Sequence, residues 1–310
     1  MPAKVRGRVV FRPLPWQEAG DALQRFAAPV ADDLGRVSQR IGDILEEVGR
    51  TEIVPGMSEA LLRAPVLHLF LREGKLLRPL LVLLAGRGTG RMGKADEMLI
   101  RAAAAVEILH TASLAHDDIV DSSDIRRGSP SLHAAYGSAT AVLVGDLFYA
   151  RFFQEISSLQ EAGAHVRQEL LDTFLAVTAR MCQGEILEEM IRSAGLSATM
   201  EEYMGITEAK TAELVSACCK AGALIGGAPP QVVRALSDYG RALGLLFQIA
   251  DDLSDGDAAL ASPLILREKA QLTAEAAVAS LDVIGTSAAA LMLRELPGFL
   301  LARAMPEAAP

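Results

Sequence analysis

Residues 98–121 read MLIRAAAAVEILHTASLAHDDIVD, and this stretch decides the fold. Apolar or small side chains recur at Leu99, Ala102, Val106, Leu109, Ser113 and His116, spaced three or four residues apart as on one face of an α-helix. Outward from it, the same periodicity predicts helices over about 58–84, 140–159, 166–191, 201–225, 231–253 and 286–305. Glycine, serine and proline punctuate the chain at 86–93, 128–130, 193–197 and 226–230. Several of these stretches are apolar almost all the way round, which only a helix inside a large bundle tolerates. Aromatic residues are 5% of the chain, and Ala and Leu dominate, which favours helix over strand. The expectation is an all-α fold: one large helical bundle over residues 1–310, with a polar lead-in over 1–20 around Pro13 and Pro15.

The 310 residues are 51% hydrophobic and 22% charged, which excludes a disordered chain. Thirty basic against 39 acidic side chains give a formal charge of −9, which disfavours nucleic acid as the main partner. Cys182, Cys218 and Cys219 form no CxxC pair, so neither a disulfide framework nor a structural zinc site is expected. The apolar stretch 76–85 is interrupted by Arg78 and is too short to cross a bilayer. Lys4, Arg6 and Arg8 precede no apolar run of the signal-peptide kind. A cytoplasmic protein with no transmembrane segment is expected.

The quoted stretch ends in Asp117-Asp118-Ile119-Val120-Asp121, and Asp251-Asp252-Leu253-Ser254-Asp255 repeats the spacing at the end of another apolar helix. Carboxylates four apart share a helix face and repel one another unless a cation sits between them. One such turn is most simply a solvated helix end. Two, facing each other across a cavity, suit Mg²⁺, which takes oxygen ligands and bridges carboxylate to phosphate. Lys75 and Arg78, the Arg126-Arg127-Gly128 run and Lys210 are cations beside apolar stretches, suited to anion pockets.

With these residues in view, the sequence resembles the trans-isoprenyl (polyprenyl) diphosphate synthases. The resemblance rests on 74–79, on 107–121 (EILHTASLAHDDIVD) with Arg126-Arg127-Gly128, on 142–146 (VLVGD), on Lys210-Thr211-Ala212 and on 244–255 (GLLFQIADDLSD), in the expected order. It implies a bundle of the isoprenoid synthase type around a central cavity and Mg²⁺-assisted condensation of isopentenyl diphosphate with an allylic diphosphate. By similarity, Lys75, Arg78, His110 and Arg127 hold the isopentenyl diphosphate. Asp117, Asp121, Asp251 and Asp255 supply metal ligands, Arg126 and Lys210 contact the allylic diphosphate, and Thr211 and Gln248 line its pocket. His116 and His133 receive no chemical role. A homodimer is implied, or a heteromeric pairing with another synthase subunit.

Ala112 and Ser113 precede Asp117 by about one turn. Small residues there leave a cavity open, so a product of C20 or longer is expected. Phe148, Tyr149, Phe152 and Phe153 on the next helix are expected in the core rather than as a deeper floor. The resemblance breaks after the second acidic turn, where a short lysine-free stretch, 256–262 (GDAALAS), stands in place of a longer closing loop. An active enzyme and a non-catalytic regulatory subunit both remain open. A terpene cyclase is disfavoured, because the second turn reads DDLSD and Lys75 and Arg78 imply a second diphosphate.

Overall fold

Helices dominate the computed structural model, which describes residues 25–49, 58–70, 74, 76–89, 95–255 and 263–305. In chain order they are α1 (Ala31–Gly49), α2 (Ser58–His68), α3 (Leu77–Gly88), α4 (Ala95–Val120), α5 (Leu132–Tyr136), α6 (Ser138–Ser157), α7 (Ala164–Ser193) and α8 (Met200–Thr207). A π-helical turn (Glu208–Ala212) leads into α9 (Glu213–Ile225), and α10 (Pro230–Asp255), α11 (Pro263–Ser280) and α12 (Ala288–Ala304) follow. Strands β1 (Ile125–Arg126) and β2 (Ser129–Pro130) form a minimal hairpin between α4 and α5.

The all-α expectation holds, and α4 is the helix that organises the core. Ala102, Ala103, Ala104, Ala105 and Val106 are all fully buried, with α1, α3 and α6 packed around them. Consecutive alanines let neighbours close in from every side without Cβ crowding. Among the described residues, Asp96–Val120 is the one helix long and apolar enough to cross a membrane, a stretch longer than 76–85. In the fold, 83% of its apolar window is buried, so packing accounts for its composition. Phe148 and Phe152 on α6 lie fully buried in edge-on aromatic contacts with Phe70 and Phe174, as expected for core residues.

Two helical stretches differ from the periodicity reading. The expected helix 58–84 is two helices, α2 and α3, because Leu76 takes a left-handed conformation (φ 48°) and Pro79 sits in the first turn of α3, where no N–H is required. The stretch 201–225 is interrupted by the π-turn, which sets Lys210 and Thr211 off the regular helical register. Helices α1 and α11 were not foreseen. In α1, Leu34, Val37, Ile41, Ile44, Leu45 and Val48 make a buried stripe at helical spacing. α8 starts on a capping box: Thr199 N–H donates to Glu202 Oε2 at 2.7 Å and Glu202 N–H donates to Thr199 Oγ1 at 3.2 Å.

Charged groups tie the apolar layers together. Arg87, in the last turn of α3, donates to Asp33 Oδ2 of α1 at 2.6 and 2.9 Å and to Asp96 Oδ1 of α4 at 2.7 Å. The cation sits at a helix C-terminus and both acids sit in first turns, where each macrodipole favours them. A second knot surrounds Glu155 of α6, whose side chain is 4% exposed. Arg40 of α1, Arg151 of α6 and Arg101 of α4 place guanidinium nitrogens 2.7, 2.8 and 3.6 Å from it.

Candidate active site

The first acidic turn leaves α4 while still helical. Asp121 N–H donates to the Asp117 carbonyl at 2.8 Å, so both carboxylates depart from one side. Ser122 (φ 51°) then turns left-handed, Ser123 N–H returns to the Asp118 carbonyl at 2.8 Å, and the helix closes in a Schellman pairing. Asp118 points away from its neighbours: 2% exposed, it accepts from Arg126 Nε at 2.7 Å and from Arg126 Nη2. At the end of α10 the same division recurs. Asp251 lines the cavity, while Asp252 accepts from Tyr203 OH and, at 2.8 Å, from Gln248 Nε2, and Thr211 Oγ1 donates to Gln248 Oε1 at 3.1 Å. In each Asp-Asp pair one carboxylate faces the cavity and the other braces the turn, since adjacent residues on a helix cannot both point the same way.

Asp117, Asp121 and Asp251 line one cavity of about 1390 Å³, together with Arg78, His110, Arg126, Arg127, Lys210, Thr211 and Gln248. Ser113 is in its wall, its hydroxyl donating to the His110 carbonyl at 2.9 Å. Ala112 is fully buried and belongs to the core face of α4. Tyr149, expected in the core, lies in the cavity wall instead, with its ring stacked on His116 at 5.6 Å. His116, given no chemical role by the sequence, also lines the cavity, its Nε2 3.1 Å from the Val142 carbonyl and 3.6 Å from Asp146 Oδ1. Lys75, the side chain of Asp255 and the segment 256–262 lie outside the described residues.

Charge is unevenly distributed along this cavity. Burial raises the Asp117 carboxyl to about 7, with Glu185 of α7 and Asp121 pushing the same way and Lys210 and Arg126 opposing. Asp117 therefore holds its proton more tightly than an ordinary carboxyl, chiefly because it is buried. The outer acids meet arginines that the sequence reading passed over: Asp121 pairs with Arg192 at 3.0 Å and Asp251 with Arg303 at 3.2 Å. Among the described residues, no group of three or more His, Cys, Asp or Glu side chains converges to hold a metal unaided. An ion there would complete its shell with oxygens from a substrate.

Near His110 the lining is cationic. Arg78 Nε is buried and has no hydrogen-bond partner among the described residues. Burial lowers the proton affinity of Arg78, with Cys218 and Glu107 opposing. His110 is driven well below the ordinary histidine range by burial and then by Arg78, Arg127 and Arg126, so it enters as a neutral donor. Glu107, also unassigned by sequence, is buried near Arg78 and Arg127, and burial raises its carboxyl against their pull.

Arg127 reaches this site through a strained turn. It and Gly128 have φ of 51° and 73° between the paired strands, a two-residue hairpin turn whose first position normally favours Asn or Gly. A residue held left-handed at a cost of about 1 kcal/mol or more points to a use for its side chain. Arg127→Asn is expected to relieve about 1 kcal/mol of backbone strain, partly offset by loss of the charge facing Glu107, while weakening the binding of inorganic diphosphate about tenfold or more. A loss of both stability in urea and diphosphate binding would show that Arg127 is structural.

A family model described as polyprenyl synthetase matches residues 59–259. A short chain isoprenyl diphosphate synthase from Methanothermobacter thermautotrophicus is 38% identical over 239 residues, 77% of this chain and 66% of its own length. An octaprenyl diphosphate synthase from Escherichia coli is 38% identical over 185 residues, 60% of this chain and 54% of its own. The chain thus spans less than two thirds of the length of either relative. Among solved structures, a polyprenyl synthase from Caulobacter crescentus, complexed with calcium and isoprenyl diphosphate, superposes with a TM-score of 0.75 at 27% identity, covering 92% of this chain and 98% of that one.

Proposed function

Because this chain belongs to the polyprenyl synthetase family, we propose that it is a trans-prenyltransferase that lengthens an allylic diphosphate by condensing it with isopentenyl diphosphate. The observation that carries the reading is one cavity lined by Asp117, Asp121 and Asp251 with Lys210 and Arg126 near Asp117, and by Arg78 and Arg127 near His110. Two diphosphates need two such places.

In this reading Arg78, Arg127, His110 and Lys75 hold the isopentenyl diphosphate, and the orphan Arg78 Nε takes one of its oxygens. Lys210, Arg126, Thr211 and Gln248 hold the allylic diphosphate against the acidic turns. Mg²⁺ fits Asp117, Asp121, Asp251 and Asp255: the donors are hard oxygens, and Asp117, Asp121 and Asp251 line one cavity. Bound there, the ion would stabilise charge on the leaving diphosphate. The allylic C1–O bond breaks with its electron pair going to diphosphate, stabilised by Lys210 and Arg126. The C3=C4 electron pair of isopentenyl diphosphate forms the new C–C bond, and loss of a proton from its C2 to the departed diphosphate restores a double bond. Leu114, Met181 and Phe247 in the cavity wall keep water from the electron-deficient carbon.

The small Ser113 in the wall and the size of the cavity support a product of C20 or longer. The reading includes a homodimer. Leu143 on α6 and Leu175 and Met190 on α7 are 67, 54 and 65% exposed, apolar surface that a second copy would cover. Labelled isopentenyl diphosphate, farnesyl diphosphate and Mg²⁺ test the activity: label is expected in an apolar, acid-labile product and is expected to vanish with chelator. Chelator-insensitive incorporation would overturn the metal assignment.

A further inference from the structure

Lys210 is already held at both carboxylates that α7 offers it. Its ammonium lies 2.6 Å from Glu185 Oε2 and donates as well to Glu188 Oε2. Burial works against its charge, and the hydrogen bonds it donates to Glu185 and Glu188 outweigh that, so the ammonium keeps its proton more firmly than usual. Two local features bring the groups together. The π-turn that carries Lys210 packs against α7, and Gly184 makes a notch for the lysine stem, where a Cβ would stand 2.9 Å from Lys210 Cγ and 3.0 Å from Ala209 Cβ. Glu185 faces the cavity and Asp117, whereas Glu188 stands one turn on, 43% exposed, outside the cavity lining. Glu188 therefore meets the chemistry through Lys210.

Resting on the prenyltransferase reading, we propose that Glu188 is a positioning residue that restrains Lys210, weakens its grip on allylic diphosphates, and so limits the number of elongation cycles. A diphosphate arriving at Lys210 competes with the Glu188 carboxylate and is repelled by it. Each condensation leaves the new allylic diphosphate where isopentenyl diphosphate was bound, beside Arg78 and Arg127. That product either transfers to Lys210 for another cycle or departs. Whatever weakens the Lys210 site favours departure and a shorter chain. The ion pair is partly exposed, so the expected effect is a few-fold one.

The test uses the full chain with Mg²⁺ and farnesyl thiolodiphosphate, an unreactive allylic probe. Glu188→Gln is expected to bind the probe about three- to fivefold more tightly, to leave KM for isopentenyl diphosphate unchanged, and to lengthen the mean product by at least one isoprene unit. Glu188→Ala should do the same, which keeps the test valid if glutamine still bonds Lys210. In a Lys210→Gln background, Glu188→Gln should have no further effect. Unchanged or weaker probe binding in both Glu188 variants overturns the role, as does equal tightening without Lys210. Wild-type protein that does not bind the probe overturns the prenyltransferase reading itself.

Discussion

Asp117→Asn should slow condensation of farnesyl and isopentenyl diphosphates by about 10³-fold, with isopentenyl diphosphate binding within about twofold of wild type. The asparagine keeps the shape and removes the charge. Asp117 shares a helix face with Asp121 and lines the same cavity as Asp251, and the described acids hold no ion unaided, so the loss of one charged donor is not compensated. The effect on stability should have the opposite sign. Burial, Glu185 and Asp121 raise the Asp117 carboxyl to about 7, so the folded state binds its proton more tightly than the unfolded chain does. Stability from this group is therefore full at low pH and is lost as pH rises through about 7. In metal-free buffer at pH 8, Asp117→Asn should melt above wild type. Single-turnover rates and melting curves check the two halves; a variant both fully active and unchanged in Tm would remove Asp117 from the site.

Glu155→Ala should cost about 3–5 kcal/mol of unfolding free energy, the largest single loss expected outside the cavity. The carboxylate is 4% exposed and faces three guanidinium groups, from α1, α4 and α6. Glu47, half exposed, also pairs with Arg40 at 3.1 Å and with Arg151, so deleting Glu155 leaves three clustered guanidinium groups to one solvated carboxylate. Urea titration gives the number. A loss under about 1 kcal/mol would mean that the cluster is solvated and behaves as a surface network.

How far the sequence carries is clearest at α4. Its three-to-four spacing and its all-round apolarity predict a buried helix, and Asp117 and Asp121 predict a shared face; both are local properties of one helix. The expected site residues Arg78, His110, Arg126, Arg127, Lys210, Thr211 and Gln248 meet in one cavity. Ala112 does not join them, because a one-residue step along a helix turns the side chain by about 100°, from wall to core. What stayed illegible depends on contacts between distant segments. Glu185 and Glu188 read as an ordinary acidic pair on a helix until α7 is set against the π-turn. Arg303 is an arginine near the chain end until α12 brings it to Asp251 at 3.2 Å. Asp118 and Asp252 were half legible: an Asp-Asp pair on a helix must send one carboxylate elsewhere, but their partners Arg126 and Tyr203 needed the fold.

The most direct test is the length of the product. Purified protein, Mg²⁺, farnesyl diphosphate and labelled isopentenyl diphosphate are incubated, and the extracted products are dephosphorylated and separated by chain length. Chain elongation in an open cavity predicts labelled products of C20 or longer. Farnesyl diphosphate that binds in a Mg²⁺-dependent manner yet incorporates no label would contradict the account and leave a subunit that binds prenyl diphosphates without joining them.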